Sequence, residues 1–172
     1  VQLHYTANGQ ETVDAGEIGV WFYPEGEVPE LRMGGLSARV RSDTWTDIPP
    51  FAKEHTLTAS ITLTDDVEMF GYFSHMHFRG KYMRFYADYP DGTSEELMNI
   101  AKYDYAWQWR YTYEEPRIMP AGTVLTAVGG YDNSAQNPAN PDPTIPVSAG
   151  PQSWDEMFFG SFRWREINQG SD

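Results

Sequence analysis

Along much of the chain, apolar and polar side chains change places at every residue. From residue 55 to 64, Leu57, Ala59, Ile61 and Leu63 alternate with Thr56, Thr58, Ser60, Thr62 and Thr64. That is the period of a strand with one buried face and one wet face. Between 107 and 113, Trp107, Trp109, Tyr111 and Tyr113 fall on one side, with Gln108, Arg110 and Thr112 opposite. Further strands are predicted over 1–6, 18–23, 35–41, 67–77, 82–89, 95–100, 123–131 and 157–164. Turn signals punctuate them: Asn8-Gly9, Pro24-Glu25-Gly26, Pro49-Pro50, Pro90-Asp91-Gly92 and Pro120-Ala121-Gly122. No segment carries a sustained, capped helical period. The expectation is an all-β fold: an antiparallel β-sandwich of jelly-roll type with about nine or ten strands, spanning 1–172 as a single domain.

One stretch breaks this rhythm. Residues 132–152 hold five prolines and three asparagines with almost no alternation. A loop of that length in a compact domain is either functional or an ordered excursion held by its own side chains.

Charge and composition then narrow the function. Twelve Lys and Arg against 25 Asp and Glu give a formal net charge of −13. Such a field repels phosphate backbones and anionic lipid heads, which argues against nucleic-acid and polybasic membrane binding. No apolar run approaches the roughly 20 residues of a spanning helix. There is no cysteine, so disulfides, zinc–thiolate sites and thiol nucleophiles are excluded. A metal would have to rest on His, Met, Asp or Glu, and the histidines are only His4, His55, His75 and His77.

Of these, His75-Met76-His77 stands out. At strand spacing, residues two apart share a face with Cβ atoms about 6.5–7 Å apart, which lets two imidazoles converge on one ion. Met76 then points the other way. Candidates for a third ligand are Met157, His4, His55 and nearby carboxylates. With His4, His55 or a carboxylate in that place the site would suit zinc and hydrolysis. His55, following Pro49-Pro50, reads as a polar residue starting a strand. Asp132, Asn133, Asn137, Asn140 and Asp142 could serve calcium or simply cap turns. Trp21, Trp45, Trp107, Trp109 and Trp154 could form a sugar platform or fill sandwich faces.

Five short motifs occur in order: His4-Tyr5-Thr6, Ile48-Pro49-Pro50, His75-Met76-His77-Phe78-Arg79-Gly80, Tyr131-Asp132-Asn133-Ser134 and Gln152-Ser153-Trp154-Asp155-Glu156-Met157. Together they resemble the C-terminal domain of the type II, ascorbate-dependent copper monooxygenases, the family of peptidylglycine α-hydroxylating monooxygenase and dopamine β-monooxygenase. The likeness covers roughly residues 1–167 and is nearest to bacterial relatives, in which the domain is appended to larger exported proteins. It implies one copper ion held by His75, His77 and Met157, with ascorbate or another external reductant. A soft sulfur beside two imidazoles favours Cu(I), and three ligands leave a place for O2.

The resemblance also implies departures. The family's second, electron-storing copper takes two ligands from a preceding domain. Its third lies in a motif that His4 matches, with Gln2 two residues earlier. The chain opens at Val1, so the native protein is expected to be longer and to carry that N-terminal domain. The peptide hydroxylase's carboxylate-anchoring arginine corresponds to Phe73, and its asparagine and tyrosine past the methionine correspond to Phe159 and Ser161. Peptidylglycine is therefore not the expected substrate. Arg79 is expected in a structural salt bridge with a loop carboxylate. The resulting expectation is a copper domain oxidising substrate C–H bonds with O2 or peroxide. The alternative is a non-catalytic copper-binding, electron-transfer or accessory domain. Either is expected to be extracytoplasmic, periplasmic or secreted.

Overall fold

The computed structural model describes residues 3, 5, 7–27, 34–39 and 43–167, and contacts divide the chain into two units, Val1–Glu30 and Leu31–Asp172. In the first unit no strand forms among the described residues. Residues 18–23, expected as a strand, join no ladder, and Val20, Trp21 and Phe22 are exposed. An apolar run becomes a strand only when a neighbour takes its backbone hydrogen bonds and covers one face. Here local side-chain bonds shape the chain instead: Asn8 Oδ1 accepts from the Gln10 amide and Asp14 Oδ1 from the Gly16 amide. Much of the strand expected over 1–6 lies outside the described residues, as do Gln2 and His4.

The second unit carries eight strands: β1 (Gly34–Arg39), β2 (His55–Thr62), β3 (Val67–His75), β4 (Gly80–Asp88), β5 (Ser94–Ile100), β6 (Arg110–Met119), β7 (Val124–Tyr131) and β8 (Phe159–Glu166). They pair in two antiparallel four-stranded sheets, ordered β1-β8-β3-β6 and β2-β7-β4-β5. The all-β antiparallel reading stands, with eight strands among the described residues rather than nine or ten. β6 also begins later than its alternation suggests. A turn in which the Trp107 amide donates to the Asp104 carbonyl takes up the residues before it. Trp107 and Trp109 are exposed and stack on one another, with ring centroids 5.6 Å apart.

The apolar faces of the two sheets form one core. Tyr72 and Phe162 of the first sheet meet Phe85 of the second, with centroids 5.0 and 5.4 Å apart. Fully buried residues such as Met69, Met83, Leu125 and Phe162 each contribute about 1.5–3 kcal/mol from burial. The sheets approach closely at Gly160, where an added Cβ would lie 2.2 Å from that of Ala127.

One irregularity decides which way His75 faces. Simple alternation from buried Val67 and Met69 would carry residues 71, 73, 75 and 77 inward. Between Met69 and Gly71 the register shifts against both neighbours: Met69 pairs with Trp164, but Gly71 pairs with Arg163. The extra residue on β3 reverses the parity. Tyr72, Ser74 and Met76 are buried, while Phe73 and His75 become half-buried on the outer side. Gly71 permits the bulge, because its φ is 155° and a Cβ there would lie 2.0 Å from the Tyr111 carbonyl oxygen. Gly71→Ala is therefore expected to lower stability by about 2–3 kcal/mol in chemical denaturation. An unchanged midpoint would mean that the ladder relaxes around the methyl group.

Candidate metal centre

The starts of β2, β4, β6 and β8 and the ends of β3 and β7 lie at one end of the sandwich, so the long loops gather there. His75 closes β3 opposite Phe159, with ring centroids 5.6 Å apart. The ladder ends at that pair. Next in the chain, Met76 and Phe158 are both buried in the core. Just beyond the ladder lie His77 and, half-buried before Phe158, Met157.

The two imidazoles converge, with centroids 5.1 Å apart and planes at 86°. His77 is buried, and its Nδ1 lies 3.1 Å from the Asp155 carbonyl oxygen. A carbonyl only accepts, so His77 Nδ1 carries the proton and Nε2 keeps its lone pair. Burial holds the His77 pKa below the usual histidine range against the Asp155 carbonyl, and a nearby charge on His75 would lower it further. The ring is thus kept neutral, the state a metal ligand needs. His75 Nδ1 meets Gln108 Oε1 at 2.6 Å. Tyr105 closes one flank, its ring centroid 6.1 Å from that of His77 and 4.7 Å from that of Phe78. Among the described residues no three His, Asp or Glu side chains come together at metal-binding spacing. Met157, expected as the third ligand, lies half-buried just before Phe158.

Beneath the pair lies a buried polar knot. The Glu156 carboxylate, fully buried, accepts from the backbone amides of His77 at 2.8 Å and of Arg79 at 2.7 Å. The Arg79 guanidinium, also fully buried, donates to Asn133 Oδ1, the Trp154 carbonyl and the Asp142 carbonyl, at 2.9, 2.7 and 3.5 Å. Asn133 Nδ2 in turn donates to the carbonyls of Pro49 and Ile145. Two tyrosines finish the frame: Tyr103 bonds both the amide and the carbonyl of Met76, and Tyr131 donates to the Met157 carbonyl. Among the described residues no buried side-chain nitrogen or oxygen lacks a partner.

Other expected residues fall into place as structure. Arg79 is structural, but carbonyls and an amide oxygen replace the expected carboxylate partner. His55 starts β2 and its Nε2 bonds Thr46 Oγ1. In the 132–152 loop, Asp132, Asn137, Asn140 and Asp142 each cap the amide two residues on. Trp45 donates to the Val147 carbonyl and packs edge-on against Tyr131. Phe73 and Phe159 sit half-buried on the outer face. Gln108 was not signalled by the sequence, because between two tryptophans it reads as the wet side of a strand.

Burial pushes the Glu156 carboxyl up to about 7, against the amides of Arg79 and His77 and the Arg79 charge. A carboxyl whose pKa is raised by folding contributes stability that is complete below its unfolded value of 4.5 and is lost as pH rises through about 7. The unfolding free energy of the wild type relative to Glu156→Gln should therefore fall between about pH 4.5 and about pH 7. A constant difference would mean that the carboxylate stays ionised throughout. His77 acts with the opposite sign, its contribution present above 6.5 and lost as pH falls through its lowered value, and it cancels in this comparison. No family model matches the chain, and no curated protein sequence does.

Proposed function

We propose that this is a mononuclear copper domain with His75, His77 and Met157 as ligands, related to the oxygen-activating half of the copper monooxygenases. The observation that carries the reading is the convergence of two imidazoles, with centroids 5.1 Å apart and planes at 86°. Each ring already has its Nδ1 occupied by an oxygen, which is how histidine ligands are oriented by their outer partners. The strand order β1-β8-β3-β6 over β2-β7-β4-β5 is the one that two interlocked Greek keys produce, and it supports the jelly-roll form of the sandwich.

When bound, copper in a two-imidazole, one-thioether set would favour the reduced ion and supply oxidation of substrate C–H bonds from O2 or peroxide, given an external reductant. The chain's own residues prepare the place. Asp155 and Gln108 orient the rings, Glu156 fixes the backbone between His77 and Arg79, and Tyr131 anchors the backbone of Met157. On this reading the domain works outside the cytoplasm, as the motif likeness implies.

Anaerobic Cu(I) titration of the chain beside Met157→Ala tests the reading. The expected result is one tight site per chain, weakened at least about tenfold in the variant, the low end of losses seen even for outer partners of metal sites. Equal binding by both, or none by either, would overturn it. Stoichiometric copper without ascorbate- or peroxide-driven turnover would favour the accessory-domain alternative.

A further inference from the structure

The two ends of the Gln108 amide are not interchangeable. Its Nε2 lies 3.0 Å from the Tyr105 carbonyl oxygen, which can only accept. The amide nitrogen must therefore face Tyr105, and Oε1 must face His75 Nδ1 at 2.6 Å. An amide oxygen has no proton to give, so the hydrogen in that bond belongs to His75. We infer that Gln108 is a positioning residue that imposes the Nδ1–H tautomer on His75, so that the Nε2 lone pair is left for a ligand contact.

The loop carrying Gln108 is braced for this. The Ala106 amide donates to Asp104 Oδ1 at 2.8 Å and the Trp107 amide to the Asp104 carbonyl at 2.9 Å. Tyr105 is held by its hydroxyl on Ser153 and its ring against Phe78. Trp107 and Trp109 stack on either side of Gln108 in sequence, which limits the freedom of the residue between them. His77 receives the same tautomer from a backbone carbonyl, so the two rings are set by two independent devices: one main chain, one side chain. The purpose of the device rests on the copper reading, whereas the tautomer itself exists without metal.

Long-range proton–nitrogen correlation spectra of the metal-free full chain, recorded near pH 8, test it directly. In the wild type both His75 and His77 should show the Nδ1–H pattern. Gln108→Ala should move His75 to the Nε2–H form that a free neutral imidazole favours, and His77, read in the same spectrum, should stay unchanged and report an intact fold. Gln108→Glu keeps an acceptor facing His75 and should restore the Nδ1–H pattern. An Nε2–H pattern for His75 in the wild type, or an unchanged one in Gln108→Ala, would overturn the inference. Cu(I) affinity should drop about tenfold in Gln108→Ala and recover in Gln108→Glu, and equal affinities would overturn the ligand-presenting role. Failure of the wild type to bind copper would sink the copper reading alone, because the spectra judge the tautomer without it.

Discussion

A carboxylate and a guanidinium sealed from water hold the loop end of this sandwich together. Removing either charge from solvent is costly, and the cost is recovered only where every lone pair and proton finds a partner. Glu156 and Arg79 meet that condition in part: both find hydrogen-bond partners, yet burial still raises the pKa of the Glu156 carboxyl and lowers that of the Arg79 guanidinium. The carboxylate is held by the amides of His77 and Arg79, and the guanidinium by two carbonyls and Asn133. Asn133 extends the network to the Pro49 carbonyl, so 48–52, 76–80, 132–147 and 152–157 are tied together by one set of bonds. A shift in any of them strands a buried polar atom, which gives the loops a single arrangement rather than a family of them.

This network gives four of the five motifs a shared physical basis. Pro49, Arg79, Asn133 and Glu156 come from four segments far apart in sequence and converge on the same knot. Their co-occurrence follows from the need to satisfy one another, whatever occupies the outer face. The histidines and Met157 ride on this frame: His77 is one residue from Phe78 and two from Arg79, and Met157 directly follows Glu156.

Alternation made most of the fold legible. The strands at β2, β4, β5 and β7 follow the period closely, because each presents one face to the core and one to water. It failed at 18–23, where apolar residues have no ladder partner, and at 107–109, where a turn and a stacked indole pair replace the strand. It also could not reveal the bulge at Gly71. A lone glycine inside a strand pattern is compatible with several geometries, yet this one reverses the direction of every side chain after it. The spacing of His75 and His77 was readable, whereas the outer-side placement of His75 was not. Met157 is a methionine among seven, and only motif likeness raised it. Gln108 was invisible because its contact with His75 spans 33 residues and depends on how a turn folds back.

The edge strand β6 carries a consequence of a different kind. An open sheet edge is a template for any passing strand, and aggregation begins where two such edges meet. On β6 the exposed run Glu114-Glu115-Pro116 interrupts that template. Two adjacent carboxylates repel a like edge, and the proline withholds a backbone donor in the middle of the strand. A face of half-buried aromatic rings and histidines can thus lie beside an open edge without inviting the chain to polymerise through it.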